Sequence, residues 1–284
     1  MTKWEEIEPT KEPILRFAEL ADPMEDSLND KIFRALFEKT GTSAKFVSLR
    51  VDEEEFENCV RHLAKCGFKG ALVGNPNKSS AARLAEQFYQ VKHSLGIATA
   101  LTFEEEHIYG MNLEIPAFLA PIQDVAPGTA LVVGAGQGGR VVAMALVSKG
   151  WRVRIWNRSA LKARAVVNAL RAFLRTQPEF SSRKVVEILP EPDPTGCSLI
   201  VNATSLGRKI GEQPPVLWQN CMRNVIAYDL VHRNVRTEFL RSAYDRGFRV
   251  IDGREMLVEH AALAWEWWMN TPAPRDVMRR AAGL

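Results

Sequence analysis

The chain has 284 residues, 46% of them hydrophobic, and a formal net charge of +3 at pH 7 with acids and bases interspersed. That length holds one large or two ordinary domains with a sizeable core, and the mixed charge excludes an electrostatic case for nucleic acid or an anionic membrane as partner. The longest apolar stretches are strand-sized and the chain opens Met1-Thr-Lys-Trp-Glu-Glu6, so neither a membrane span nor a secretory signal is expected, and the expected location is the cytoplasm.

In chain order, residues to about Pro13 read as a loosely held extension and 14–20 as a first strand, followed by the turn-rich loop 21–26. Ser27 caps a helix whose Ile32, Phe33, Leu36 and Phe37 share one face, and Gly41 stops it. A strand over 45–51, a helix over 53–66 and a short strand over 71–73 follow. The loop 74–80 ends in a serine cap and opens a helix over 81–90. Two strands, 97–103 and 107–112, flank the acidic turn Glu104-Glu105-Glu106, and a short helix covers 115–119. Pro121 and Pro127-Gly128 separate the halves. Cys59, Cys66, Cys197 and Cys221 have neither C-x-x-C nor metal-ligand spacing and read as small, mostly buried residues, so no metal is expected.

The second half opens with a buried strand over 130–133, the turn Gly134-Ala-Gly-Gln-Gly-Gly-Arg140, a helix to Lys149 and a strand over 152–156. This is the order of a dinucleotide-binding unit. Gly134 permits the sharp turn, Gly136 lets the backbone approach a pyrophosphate, and Gly139 lets the helix pack close; the helix N-terminus then faces the phosphates. The second strand ends in Asn157-Arg158-Ser159 rather than in an acid for a ribose 2′-hydroxyl, which favours NADP over NAD. Arg158 can reach a 2′-phosphate, Asn157 and Ser159 can donate to it, and Arg154, Lys162 and Arg164 add charge nearby. Beyond lie a helix over 161–175, strands over 184–188, 198–201, 225–230 and 249–251, and a helix over 237–246. The alternation of strands and helices predicts two parallel-sheet α/β layers. A closing helix over 255–269 carries Met256, Leu257, Ala261, Ala264, Trp265 and Trp268 on one broad face, which suits packing back on the first domain.

Together these pieces resemble the shikimate dehydrogenases from about residue 14 to 269. The resemblance rests on the glycine turn, Trp156-Asn-Arg-Ser159, Asn202-Ala203-Thr204-Ser205-Leu206-Gly207, Tyr228-Asp-Leu230 and Gly253-Arg-Glu-Met-Leu-Val-Glu259. In the first half, Ser27-Leu-Asn29 stands where that family has Ser-Leu-Ser. Gly70-Ala-Leu-Val-Gly-Asn-Pro-Asn-Lys78 stands for Gly-x-Asn-Val-Thr-x-Pro-x-Lys, and Gly110-Met-Asn-Leu-Glu114 for Gly-x-Asn-Thr-Asp. The resemblance implies an N-terminal substrate-binding domain (1–113), a Rossmann-type NADP-binding domain (114–252) and a C-terminal helical segment (253–284) returning to the first domain.

It further implies reversible hydride transfer between NADPH and the ketone of 3-dehydroshikimate or a related cyclic acid. Lys78 falls on the family's catalytic lysine and Glu114 on its catalytic aspartate. Reduction of a ketone needs a proton for the developing alkoxide and a cation beside it, and Lys78 can supply both. Gly134, Gly136, Gln137, Gly138, Gly139, Asn157, Arg158, Ser159, Asn202, Ala203, Thr204, Ser205 and Gly253 are the implied cofactor contacts. Ser27, Asn29, Thr99, Asn112, Tyr228 and His260 are the expected substrate contacts. Leu72 and Ala98 replace two asparagines that hold substrate hydroxyls, Asn29 replaces a serine, Gly74 a threonine and His260 a glutamine. Each hydrogen bond so lost costs about 0.5–1.5 kcal/mol. The same chemistry on a quinate-like or amino-substituted cyclic acid, or a catalytically silent NADP sensor, are the alternatives. A monomer or homodimer with a small carboxylic acid as its partner is expected.

Overall fold

The computed structural model describes residues 3–10, 12–22, 27–88, 95–105, 107–175, 185–233 and 235–284. The chain divides into two compact units, Met1–Ala117 with Val258–Leu284, and Phe118–Leu257.

The first unit runs β1 (Leu15–Ala21), α1 (Leu28–Thr40), β2 (Ala44–Arg50), α2 (Phe56–Lys65), β3 (Gly70–Val73), α3 (Lys78–Leu84), β4 (Gln87–Phe88), β5 (Ala100–Glu104), β6 (His107–Met111) and the start of α4 (Glu114–Leu119). Its sheet has the order β2-β1-β3-β5-β6-β4. β1 is parallel to β2 and β3, whereas β5 is antiparallel to both β3 and β6. The expected all-parallel layer is therefore mixed here. The connection between β5 and β6 is too short for a crossover, and a connection of that length joins strands only as a hairpin.

Alternation along β1 separates the two faces of this sheet. Ala18 and Leu20 enter an apolar cluster with Val60, Leu63, Ala71 and Leu101. On the other face Phe17 stacks on Trp268 at 4.9 Å, and Phe33 of α1 stacks on Phe46 at 4.4 Å. Trp268 also donates its indole N–H to the Leu101 carbonyl at 2.9 Å. A side chain of this size contributes about 1.5–3 kcal/mol by burial. The Ser27 hydroxyl accepts from Asn29 N–H at the start of α1, and Gly41 closes the helix in the left-handed region at φ 65.

Two segments depart from the sequence expectation. The helix expected over 81–90 begins instead at Lys78, with Asn77 at the cap and no serine capping bond, and ends at Leu84. Only Ala81 within it is buried, so no apolar stripe extends it, and Gln87–Phe88 pair with Tyr109 and Gly110 instead. Residues 23–26, Gln90, Glu106 and Lys184, which the sequence assigned to loops, a helix and a strand, lie outside the described residues. A further helix, α9 (Arg275–Ala281), packs on α1 after α8 (Gly253–Met269). Its charged sequence, with Met278 the buried residue, carries little helical periodicity.

The second unit contains β7 (Thr129–Val133), α5 (Gln137–Ser148), β8 (Arg152–Trp156), α6 (Ala160–Arg175), β9 (Val186–Ile188), β10 (Leu199–Asn202), β11 (Ile226–Asp229), α7 (Glu238–Tyr244) and β12 (Arg249–Ile251). All pairings in this sheet are parallel, in the order β12-β11-β10-β7-β8-β9. The chain winds outward from β7 to β9, then restarts at β10 on the other side of β7. The strand order reverses there, and ligands of such sheets bind at that reversal beyond the strand C-termini. Among the described residues no helix is long and apolar enough to cross a membrane.

Candidate active site

In the first unit, Lys78 opens α3 and Glu114 opens α4. Lys78 Nζ donates to Glu114 Oε1 at 2.5 Å, and the two side chains are 13% and 15% exposed. Burial alone would raise the Glu114 carboxyl, but the Lys78 ammonium and its hydrogen bond, aided by His260, hold it below its ordinary value. Glu114 Oε2 is buried without a hydrogen-bond partner among the described residues. The pair is thus an ammonium held by a carboxylate that keeps one acceptor unused.

Around it, Asn112 accepts the Glu114 N–H at 3.1 Å through its side-chain carbonyl and so fixes the first turn of α4. Thr99 is fully buried, and its hydroxyl oxygen accepts Leu113 N–H at 2.9 Å and shares a 2.9 Å hydrogen bond with His260 Nε2. Burial lowers His260 to about 4, the Glu114 charge opposing and Lys78 adding to the shift, so the ring is neutral at pH 7. These two expected substrate contacts therefore hold each other, and Thr99 also holds the backbone between β6 and α4. Leu72 and Ala98 are buried at 2% and 0% exposure, apolar at the two positions where the resemblance puts hydroxyl-binding asparagines in other members.

Ser27 and Asn29 are both bonded to Glu19, a residue that the sequence reading passed over. Ser27 Oγ donates to Glu19 Oε2, and Asn29 Nδ2 donates to Glu19 Oε1 at 2.9 Å. Burial pushes the Glu19 carboxyl up, the bonds from Ser27 and Asn29 partly offsetting it. The available signal was the lone acid in a strand whose other residues, Arg16 apart, are apolar. Tyr228 lies in the second unit, fully buried and stacked on Phe118 at 4.9 Å, which leaves it no exposed surface for the expected substrate contact.

The glycine turn of the second unit has three distinct geometries. Gly134 sits at φ +116, a conformation L side chains rarely adopt. A Cβ on Gly139 would lie 2.2 Å from the Gly134 carbonyl oxygen, whereas one on Gly136 would meet nothing within 4 Å. The helix packs tightly at Gly139, and open space lies before Gly136 at the N-terminus of α5. The first N–H groups of α5, those of Gln137, Gly138 and Gly139, lie at the positive helix end beside that open space, the kind of place that suits an anionic phosphate.

At the end of β8, Asn157 has a role the sequence did not predict. Its side-chain carbonyl accepts Ala135 N–H at 3.0 Å and its amide donates to the Ser159 carbonyl at 3.0 Å, so it braces the glycine turn rather than offering that N–H to a phosphate. Ser159 Oγ accepts Lys162 N–H at 3.5 Å at the start of α6. Arg154 bonds Glu187 and the Thr195 carbonyl, both at 2.5 Å, and is withdrawn from the expected charge cluster. Arg158, Lys162 and Arg164 remain exposed.

Asn202 is fully buried and structural. Its amide donates to Leu206 O at 2.9 Å and Asp229 Oδ1 at 2.8 Å, and its carbonyl accepts from Thr204. It shapes the loop carrying Ala203, Thr204 and the exposed Ser205. Burial pushes Asp229 up to about 7 against hydrogen bonds from Thr237, Val231 and Asn202. A Cβ on Gly253 would fall 2.8 Å from the Val231 carbonyl oxygen, so the chain passes close there for packing reasons.

Comparison with known proteins matches this arrangement at both ends of the chain. Residues 20–100 match the shikimate dehydrogenase substrate binding domain and 253–282 the shikimate 5′-dehydrogenase C-terminal domain. The chain is 29% identical over 278 residues to a shikimate dehydrogenase (NADP(+)) of Thermus thermophilus, covering 95% of this chain and 100% of that one. It is 25% identical over 270 residues to one of Nitrosopumilus maritimus, covering 93% and 97%. Among solved structures, a Thermus thermophilus shikimate 5-dehydrogenase in complex with NADP(H) and shikimate superposes with a TM-score of 0.83 at 27% identity, over 95% of this chain and 99% of that one. A 5-ketofructose reductase of Gluconobacter shares the fold at a TM-score of 0.84 and 22% identity, over 95% and 98%. With the mixed first sheet, the doubly wound second sheet and the motifs on them, the chain is similar to the shikimate dehydrogenases over nearly its whole length, and both of its ends match domain models of that family.

Proposed function

We propose that the protein is an NADP-dependent oxidoreductase of the shikimate dehydrogenase type, which interconverts a ring hydroxyl and its ketone as in shikimate and 3-dehydroshikimate. The observation that carries this reading is the Lys78–Glu114 pair, an ammonium and a carboxylate brought to 2.5 Å at the first residues of two helices. The chemistry supplied by the nicotinamide, when bound, is hydride transfer to or from the carbinol carbon.

The chain's own residues do the rest. Lys78 gives a proton to the oxygen that develops negative charge in ketone reduction, and takes it back in alcohol oxidation. Glu114 orients the ammonium, and its unused oxygen is available to pass a proton toward water. The N–H groups at the start of α5 and the exposed Arg158 suit the pyrophosphate and the 2′-phosphate of NADP.

The same chemistry on a ring with different substituents is the second reading, favoured by Leu72 and Ala98, which offer no hydrogen bond to a hydroxyl. Steady-state NADP reduction with shikimate, quinate and an aminated analogue, run beside a direct NADP titration, separates the two. Shikimate turnover at ordinary enzyme rates supports the first. Turnover on another ring supports the second, and tight NADP binding without turnover on any cyclic substrate removes both.

A further inference from the structure

We propose that Glu19 sets the substrate specificity of the first unit, selecting a ring whose substituent near Ser27 and Asn29 is an uncharged hydrogen-bond donor over one that presents a carboxylate. This rests on reading that unit as the substrate half of the dehydrogenase.

Position comes first. Glu19 pairs with Leu72 across β1 and β3, and with Ser48 across β1 and β2; Leu72 in turn pairs with Ala100 across β3 and β5. Paired positions on neighbouring strands put side chains on the same face, so Ser48, Glu19, Leu72 and Ala100 form one row. Leu72 and Ala100 are buried and apolar, whereas Glu19 keeps part of its surface open to solvent. The row thus offers an acid beside Leu72, which replaces the hydroxyl-binding asparagine that the resemblance implies.

Donor accounting follows. A serine hydroxyl has one proton, and Ser27 gives its proton to Glu19 while its oxygen accepts Asn29 N–H at 3.1 Å. Asn29 gives one amide proton to Glu19, and its carbonyl oxygen has no partner among the described residues. Ser48, paired with Glu19 across β1 and β2, also bonds its carboxyl, so apart from the second amide proton of Asn29 what remains at this end is acceptors: the Asn29 oxygen, without a partner among the described residues, and the carboxyl of Glu19. A substrate carboxylate has acceptors alone, so it meets like groups, and like charge wherever Glu19 is ionised. A hydroxyl or a carboxamide brings the protons that these oxygens lack. An unpaired buried acceptor such as Asn29 Oδ1 is uncommon in a folded protein and fits a site completed by a donor from the ligand.

The test compares shikimate with its carboxamide, which keeps the ring hydroxyls and changes only the charged group. The wild type is expected to favour the carboxamide at least tenfold in kcat/KM, chiefly through KM. Glu19→Gln replaces one carboxyl oxygen by a donor amide and is expected to cut that preference at least tenfold. A role confined to holding Ser27 at the start of α1 would lower the melting temperature without moving the ratio. A wild type that prefers the carboxylate, or a ratio unchanged in Glu19→Gln, overturns the proposal. If neither compound is oxidised, the dehydrogenase reading of these rings fails. Calorimetric binding of the same two compounds to the NADP-loaded enzyme then decides on Glu19: tighter carboxamide binding that Glu19→Gln removes supports it, and equal or absent binding overturns it.

Discussion

His260 Nε2 and Thr99 Oγ1 share a 2.9 Å hydrogen bond, although 161 residues separate them in the chain. The bond joins the closing helix to the residue just before β5, beside the Lys78–Glu114 pair whose charges act on the histidine. Burial lowers His260 from 6.5 to about 4, opposed by the Glu114 charge and aided by the smaller effect of Lys78. The unfolded chain therefore takes up this proton at higher pH than the folded one. The contribution of neutral His260 to stability is complete above pH 6.5 and is lost as pH falls toward 4. His260→Gln, which can still bond Thr99, should lose less stability than the wild type between those values. Denaturant unfolding at pH 7 and pH 5 checks this, and equal losses in the two proteins would count against it.

Lys78→Ala removes the proton donor and leaves Glu114 without its cation. Turnover should fall by about 10²- to 10⁴-fold, the usual worth of a general acid, while NADP affinity stays unchanged. A buried carboxylate left unpaired costs about 1–3 kcal/mol or more, so the midpoint of unfolding should also fall. Unchanged turnover would refute the role assigned to Lys78. Glu114→Asp is the companion variant, because it shortens the reach to Lys78 by one methylene.

Two glycines three residues apart should respond in opposite ways to the same methyl group. Gly139→Ala puts a Cβ 2.2 Å from the Gly134 carbonyl oxygen and should destabilise the second unit, with a lower melting temperature in the absence of any ligand. Gly136→Ala meets nothing within 4 Å, so the folded protein should melt close to the wild type. If its Cβ points where a pyrophosphate belongs, NADP affinity should nonetheless drop at least tenfold. A Gly136→Ala protein that binds NADP normally would remove the pyrophosphate from that place.

Arg158→Ala tests the choice of cofactor. The side chain is exposed at the end of β8, and a hydrogen bond to a charged group is worth about 1.5–3 kcal/mol. NADP affinity should therefore weaken by roughly 10- to 100-fold while NAD affinity changes little. Equal losses for both cofactors in parallel titrations would undo the assignment to the 2′-phosphate.

The sequence by itself determined the order of elements, the Ser27 and Gly41 ends of α1, the glycine turn between β7 and α5, and the missing acid after β8. Each of these is written in a few adjacent residues, because hydrophobic period, caps and turn chemistry act over one or two turns of chain. The tertiary structure alone decided that β5 runs antiparallel in the first sheet, that Asn157 braces the glycine turn and that Arg154 turns to Glu187. It also decided that Glu19 takes the protons of Ser27 and Asn29. A side chain's partners depend on which strands become neighbours, and pairing of distant segments leaves no periodic trace in the local sequence. A hydroxyl or amide read as free for a ligand can thus be already spent on a buried acid that the fold places beside it.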